Sequence, residues 1–312
     1  MTRLGVLFAG HVHPFEELLD LVRRAEDLGY AAAWVDGDIC MLDVRSDVDV
    51  LEGWTVTTAL LMRTQRIQIG SLRVVHHWNA ARLAQAVATA ERLAPGRLRF
   101  FIAIGDRRSD PRFGMPNLSA GERVRCLDET LDAVRALWRG ETVSRDGRYV
   151  ALDGARVRPT PSRGSPQITV AAARPKMLEV VATPADVWDV NLPPSARLVG
   201  RATEQLDAAC RARGRDPGEI ARSMLLFTRL QSTPDPAALL REYRALNPWF
   251  RSVADAEITP GLVAGDAASC RARFAELAET LGLEHPIVDL TAADAATSRA
   301  VLAALAPGDP GI

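Results

Sequence analysis

The chain has 312 residues, 47% hydrophobic and 25% charged, and its 38 basic and 39 acidic side chains leave a formal net charge of −1. That balance argues against nucleic acid or an acidic membrane as a partner held by bulk electrostatics. The four cysteines, Cys40, Cys126, Cys210 and Cys270, lie far apart without a CxxC pair, which argues against a zinc site or a disulfide framework.

The apolar run before His11 is short for a signal peptide, and no run approaches the roughly 20 residues of a membrane span, so the expectation is a cytoplasmic protein. Leu4–Phe8 reads as a strand covered on both faces. Pro14 opens a helix with Glu16 and Glu17 in its first turn, an apolar stripe from Phe15 to Leu28, and a stop at Gly29. The unit then repeats: strand Ala32–Val35 and helix Glu52–Arg63; strand Ile67–Leu72 and helix Asn79–Leu93; strand Leu98–Ile104 and a helix ending at Gly140. Glu141–Pro166, rich in glycine and proline, reads as an excursion with a small hairpin. Strands follow at Gln167–Val170, Asp186–Val190, Met224–Leu230 and Pro286–Leu290. Helices are expected from Pro175, over Ala196–Arg213, Pro236–Leu246 and Asp266–Leu281, and near Asp294–Leu305. Eight strands alternating with helices predict one domain over residues 1–312. The expected fold is a (β/α)8 TIM-type barrel with insertions after strands four and seven. A doubly wound open sheet is the alternative, weakened by the lack of a GxGxxG after the first strand.

Four segments, in order, resemble the bacterial luciferase-like superfamily. They are Leu51-Glu52-Gly53-Trp54, Thr64 to Ser71 (TQRIQIGS), Thr89 to Leu98 (TAERLAPGRL), and Arg174-Pro175-Lys176-Met177-Leu178-Glu179 followed by Ala185-Asp186. The last is similar to the deazaflavin-dependent branch. The resemblance implies a barrel that binds coenzyme F420, or alternatively FMN, at the C-terminal mouth of its strands. It implies an oxidoreductase moving hydride between F420 and a small organic substrate. Two other classes stay open: a monooxygenase using reduced FMN from a separate flavin reductase, and a barrel that has lost its cofactor and only binds a ligand. Relatives commonly dimerise, which points to a homodimer through helices of the first barrel half.

In such barrels the loops after the strands build the site. In the second of these loops, Asp36-Gly37-Asp38, this chain has Gly37-Asp38 where the family usually places Asp-His. Asp38 is therefore one catalytic candidate, with a turn cap as the alternative. Asp106 aligns with a family glutamate thought to act as an acid, and a carboxyl at the mouth of an apolar pocket would have a raised pKa suited to proton donation. The alternative is an ion pair with Arg107 or Arg108. For the cofactor, Ala172, Ala173, Arg174 and Lys176 lie at a strand-to-helix junction suited to a phosphate. Ser71, Leu72 and Arg73 lie where relatives often carry a non-prolyl cis peptide behind the ring, and Ser109 completes the cofactor set. His11 and His13 enter the first helix, His76 and His77 lack a third metal ligand, and His285 reads as structural. Glu141–Pro166 and Asn247–Thr259 are expected to shape the substrate pocket.

Overall fold

Short apolar runs, buried along their whole length, alternate with amphipathic helices from one end of the chain to the other. The computed structural model describes residues 3–8, 13–37, 39, 48–105 and 110–307. In chain order the elements are β1 Gly5–Phe8, α1 Phe15–Asp27, β2 Ala32–Val35, α2 Gly53–Arg63, β3 Gln68–Val74, α3 Ala80–Leu93, β4 Leu98–Ala103 and α4 Ala120–Trp138. Then come β5 Val143–Asp146, β6 Ala151–Ala155, β7 Ile168–Ala172, α5 Pro175–Val181, β8 Val187–Val190, α6 Ala196–Arg211 and β9 Ala221–Leu230. The chain closes with α7 Pro236–Leu246, α8 Asp255–Ile258, β10 Val263–Gly265, α9 Ala267–Thr280, β11 His285–Asp289 and α10 Ala295–Ala304.

The parallel order β11-β1-β2-β3-β4-β7-β8-β9 closes on itself through β9–β11, making the eight-stranded TIM barrel expected from the alternation. A tenth strand, β10, adds in parallel to β9 outside the ring. Its three residues, and the single turn of α8, carry too little periodicity to be read from the sequence.

Side chains place the helix starts. Glu52 accepts from the amides of Trp54 and Thr55, Asn79 from those of Ala81 and Arg82, and Ser119 with Glu122 forms a reciprocal capping box. Inside the fold, one Glu26 carboxyl oxygen takes the N–H groups of Gln65, Arg66 and Ile67, pinning α1 to the entry of β3. Burial pushes that carboxyl up, but the three donors outweigh it and hold its pKa below the ordinary value.

The two excursions differ in position. The antiparallel hairpin β5–β6 follows α4 and returns along its outer side, through Arg145 to Asp132, Glu129 to the amides of Tyr149 and Val150, and Arg148 to Glu122. It therefore lies outside the helix layer, and the expectation that Glu141–Pro166 shapes the substrate pocket is corrected. The second excursion, after β9, has its own core of Phe227, Leu239, Tyr243, Phe250, Ile258 and Leu262. Because it leaves and packs on the C-terminal end of β9, it reaches the mouth.

Candidate active site

Barrel strands present alternate side chains to the lumen, in layers of four drawn from alternate strands. The registers assign those layers here. The middle layer holds Trp34, Phe101, Asp189 and Ile287. Trp34 meets Phe101 edge to face at 5.4 Å, and Gly70 leaves the room that the Trp34 ring occupies, since a Cβ there would overlap it. Below lies a small chamber lined by Arg3, Arg99, Thr169, Ser223 and His285 among others.

The groups of the lower lumen are shifted by burial. Asp189 accepts from the Ser223 hydroxyl at 2.8 Å, yet desolvation pushes its carboxyl to about 7. Burial, reinforced by Arg99 and Arg3, depresses His285 to about 4, so this imidazole is neutral. Arg99 is held to about 10, first by burial and then by Arg3, and its Nε donates to Gln68 at 2.8 Å. His285 thus stays a floor residue, as the sequence suggested.

The top layer is Asp36, Ala103, Asn191 and Asp289. On the β9–β11 side, Asp289 is 6% exposed and accepts from the Thr291 amide at 2.9 Å. Burial raises its pKa and the Asp36 carboxylate adds to the rise; Thr291 and Arg229 oppose it. Arg229 spans the turn beneath, donating to the carbonyls of Thr228, Asp289 and Thr291 and pairing with Glu242 at 2.8 Å. Its guanidinium lies 4.1 Å from the centre of the Phe227 ring. Tyr243 of α7 packs edge-on to Phe227 at 5.8 Å and flat against Phe250 at 6.1 Å. Beside Thr291, Ala292 takes a φ of 64°, a left-handed conformation that costs an alanine about 1–2 kcal/mol. The β11 turn is therefore held against local preference.

On the β4–β7 side the wall is made of small residues, Ala103, Ala171 and Ala173. At its rim Arg174 and Lys176 are exposed and have no ion pair or hydrogen-bonded side-chain partner among the described residues. Helix α5 has only seven residues and no side-chain cap, so the two cations, more than the helix end, supply positive character. Ala172 faces away from the lumen, its carbonyl taking the Trp188 indole N–H at 2.9 Å.

On the β2–β3 side the structure separates residues that the sequence grouped. Ser71 and Arg73 turn their side chains to the helix layer. The Ser71 hydroxyl meets that of Thr57 at 2.5 Å, and the Arg73 guanidinium lies 4.2 Å from the Trp54 ring and donates to the Leu72 carbonyl. Burial brings Arg73 down to about 9, with the Glu52 carboxylate acting in the other direction. Alternation leaves Leu72 on the lumen side. Among the described residues the cis peptide bond is Arg158–Pro159, so the 70–73 bonds are trans. A Cβ at Gly37 would overlap the Leu72 carbonyl oxygen, which leaves no room for any side chain at that position.

The candidates Asp38, Asp106 and Ser109 lie outside the described residues, as does His11. His13 is buried, with Nδ1 3.0 Å from Glu17, a helix-entry contact. His76 and His77 meet edge to face at 4.7 Å, and no metal-binding cluster occurs among the described residues. No described helix is long and apolar enough to cross a membrane.

The luciferase-like monooxygenase family model matches residues 2–310. The chain is similar to the phthiodiolone/phenolphthiodiolone dimycocerosates ketoreductase of Mycobacterium tuberculosis, 35% identical over 145 residues, 46% of this chain and 37% of that protein. It thus spans well under half the length of that relative. It is also 28% identical to the F420-dependent glucose-6-phosphate dehydrogenase of Kineococcus radiotolerans over 239 residues, 74% of this chain and 68% of that protein. An F420-dependent secondary alcohol dehydrogenase in complex with an F420-acetone adduct shares the fold at a TM-score of 0.81 and 19% identity, covering 97% of this chain and 99% of that one. So does EDTA monooxygenase from Chelativorans sp., at 0.80 and 16% identity, covering 97% and 93%.

Proposed function

The chain belongs to the luciferase-like monooxygenase family, and within it we propose an oxidoreductase that moves hydride between coenzyme F420 and a small organic substrate at the mouth of the barrel. The observation that carries this is the asymmetry of the mouth. A wall of Ala103, Ala171 and Ala173 with the exposed cations Arg174 and Lys176 at its rim stands across the lumen from Asp36 and Asp289. A flat ring fits against a wall of methyl groups, and two exposed cations fit a phosphate on its tail. The match of Arg174 to Glu179 with the deazaflavin branch, and the F420-dependent relatives, support the same cofactor.

In this reading Ala103, Ala171, Ala173 and Leu72 hold the ring, while Arg174 and Lys176 hold the phosphate. Bound there, F420 supplies hydride donation and acceptance. The chain's own part is to orient the ring, exclude water with Phe227 and the α7 excursion, and manage the proton. Asp38, Asp106 and Ser109 stay proposed site residues on the same terms as before, Asp106 as acid or base and Asp38 as the second carboxylate.

Fluorescence titration with oxidised F420 and reduced FMN tests the assignment. F420 is expected to bind more tightly, and Arg174→Ala or Lys176→Ala to weaken F420 binding, each by about tenfold for one charge-assisted contact. Micromolar FMN binding with no F420 binding would overturn the F420 reading in favour of the monooxygenase, and binding of neither would leave a ligand-binding barrel.

A further inference from the structure

The chamber below Trp34 lies at the end of the barrel away from the mouth, where β1, β4 and β11 begin, and its walls concentrate positive charge. Arg99 is 4% exposed; its Nε donates to Gln68 at 2.8 Å, and among the described residues it makes no ion pair. The charged group acting on it is Arg3, another cation, and both arginines act on the neutral His285. The nearby carboxyls are engaged elsewhere. Glu284 accepts from the Arg222 amide at 2.7 Å, and Asp189, raised to about 7 by burial, takes the Ser223 hydroxyl. A buried cation set among like charges is costly until an opposite charge joins it. The adjacent strand supplies a second observation. Thr169 of β7 is 1% exposed and lines the same chamber, and its Oγ1 has no hydrogen-bond partner among the described residues. It pairs in register with Phe101, two residues on from Arg99, so hydroxyl and guanidinium stand on neighbouring strands facing one space. A valine would fill that volume without leaving a buried hydroxyl unmatched.

We infer that this chamber binds a monatomic anion of the size and charge of chloride, held between the Arg99 guanidinium and the Thr169 hydroxyl. Both groups present donors, and an anion accepts from both at once. A water molecule in the same place would satisfy the hydroxyl and leave the charge of Arg99 uncompensated. The chamber has room for about 10 Å³, one water-sized occupant, so a halide fits where phosphate, sulfate or an organic carboxylate does not. Gly5, Ala32, Trp34 and Ile287 make its other walls apolar, which limits competition from water, and Arg3 with Arg99 repels a cation. This end of a TIM barrel serves stability, whereas chemistry is built at the mouth. The anion therefore acts on folding, by joining the starts of β4, β7 and β11. The site goes beyond the hydride-transfer reading and does not depend on which cofactor occupies the mouth.

Urea denaturation of the full chain in sodium chloride, against sodium gluconate at equal ionic strength, tests this. Chloride is expected to raise the folding equilibrium constant along a saturable curve, by about tenfold at ten times its Kd, while gluconate, too large for the chamber, produces no such rise. Thr169→Val keeps the volume and removes the hydroxyl; it is expected to move the half-saturating chloride concentration up about tenfold. Arg99→Gln is expected to abolish the saturable rise, and if that variant does not fold, Thr169→Val decides alone. Crystals grown in sodium bromide are expected to show an anomalous peak between Arg99 and Thr169. Coinciding chloride and gluconate curves in the wild type overturn the proposal, because the salt effect is then general. A chloride curve that Thr169→Val leaves in place, or a bromide crystal without an anomalous peak in the chamber, overturns it as well.

Discussion

The lower lumen and the mouth each bury a carboxyl inside the same barrel, and the two are built to different ends. Asp189 sits in the middle layer beside Trp34 and Phe101, with the Ser223 hydroxyl as its hydrogen-bond donor and burial as the main cause of its rise to about 7. Asp289, in the top layer at the mouth, is also raised by burial, but it has a backbone donor at Thr291, and the Arg229 cation and the Asp36 carboxylate act on it. Desolvation alone suffices to keep an acid protonated. Exchanging its proton in turnover needs, in addition, a path to substrate and groups that stabilise the charged form. At Asp189 the charged form has one stabilising partner, the Ser223 hydroxyl, whereas at Asp289 both Thr291 and Arg229 favour it.

The largest expected effect lies at Asp189. Its folded pKa of about 7 is above the ordinary 3.8, so the folded state binds the extra proton. Stability from the neutral acid is complete below about pH 4 and is lost progressively as pH rises to 7. Asp189→Asn keeps the shape and cannot ionise. Relative to wild type it should gain on the order of 4 kcal/mol between acidic and alkaline pH, a shift of about three pKa units at 1.36 kcal/mol each. Urea denaturation at pH 5 and pH 9 reads the part between those values, about two pKa units or roughly 3 kcal/mol. Equal pH dependence in the two proteins would place the Asp189 carboxylate in contact with water and collapse the contrast with the mouth.

The next effect tests what insulates the lower lumen. In Gly70→Ala the new methyl group would overlap the Trp34 ring, so the indole must move. Overpacking of this kind costs about 1–3 kcal/mol. Displacing Trp34 also opens the layer over Asp189 and lowers its pKa toward the ordinary value. The variant should therefore be less stable at pH 5 and show a shallower loss of stability toward pH 9 than wild type. A uniform loss at both pH values would mean that Trp34 does not seal the layer.

How far this architecture was legible follows from where the physical signal resides. The alternation of apolar runs with amphipathic helices announced the barrel, and the boundaries of β2, α2, α3 and α7 fall within a residue of those read from the chain. Which side of a strand faces the lumen was not legible, because parallel barrel strands are buried on both faces and carry no polar alternation. Ser71 and Arg73 were grouped with Leu72 on resemblance, although the period of two already separates them, and the structure sends their side chains to α2. Asp289 falls inside the strand range Pro286–Leu290, and no motif there singles it out. Only closure of β11 against β9 sets it in register with Phe227 at the mouth.

The smallest effect isolates the Asp36–Asp289 interaction. The Asp36 carboxylate raises the Asp289 pKa, after burial, so Asp36→Asn removes one of the causes and the Asp289 pKa should fall while remaining above the ordinary value. Infrared titration of the carboxylic-acid C=O stretch, with Asp289→Asn to assign the band, reads the displacement directly. A midpoint that stays in place would show that Asp36 and Asp289 do not sense each other across β1. A midpoint that falls all the way to the ordinary carboxylate range would show instead that the Asp36 charge, and not burial, holds the proton on Asp289.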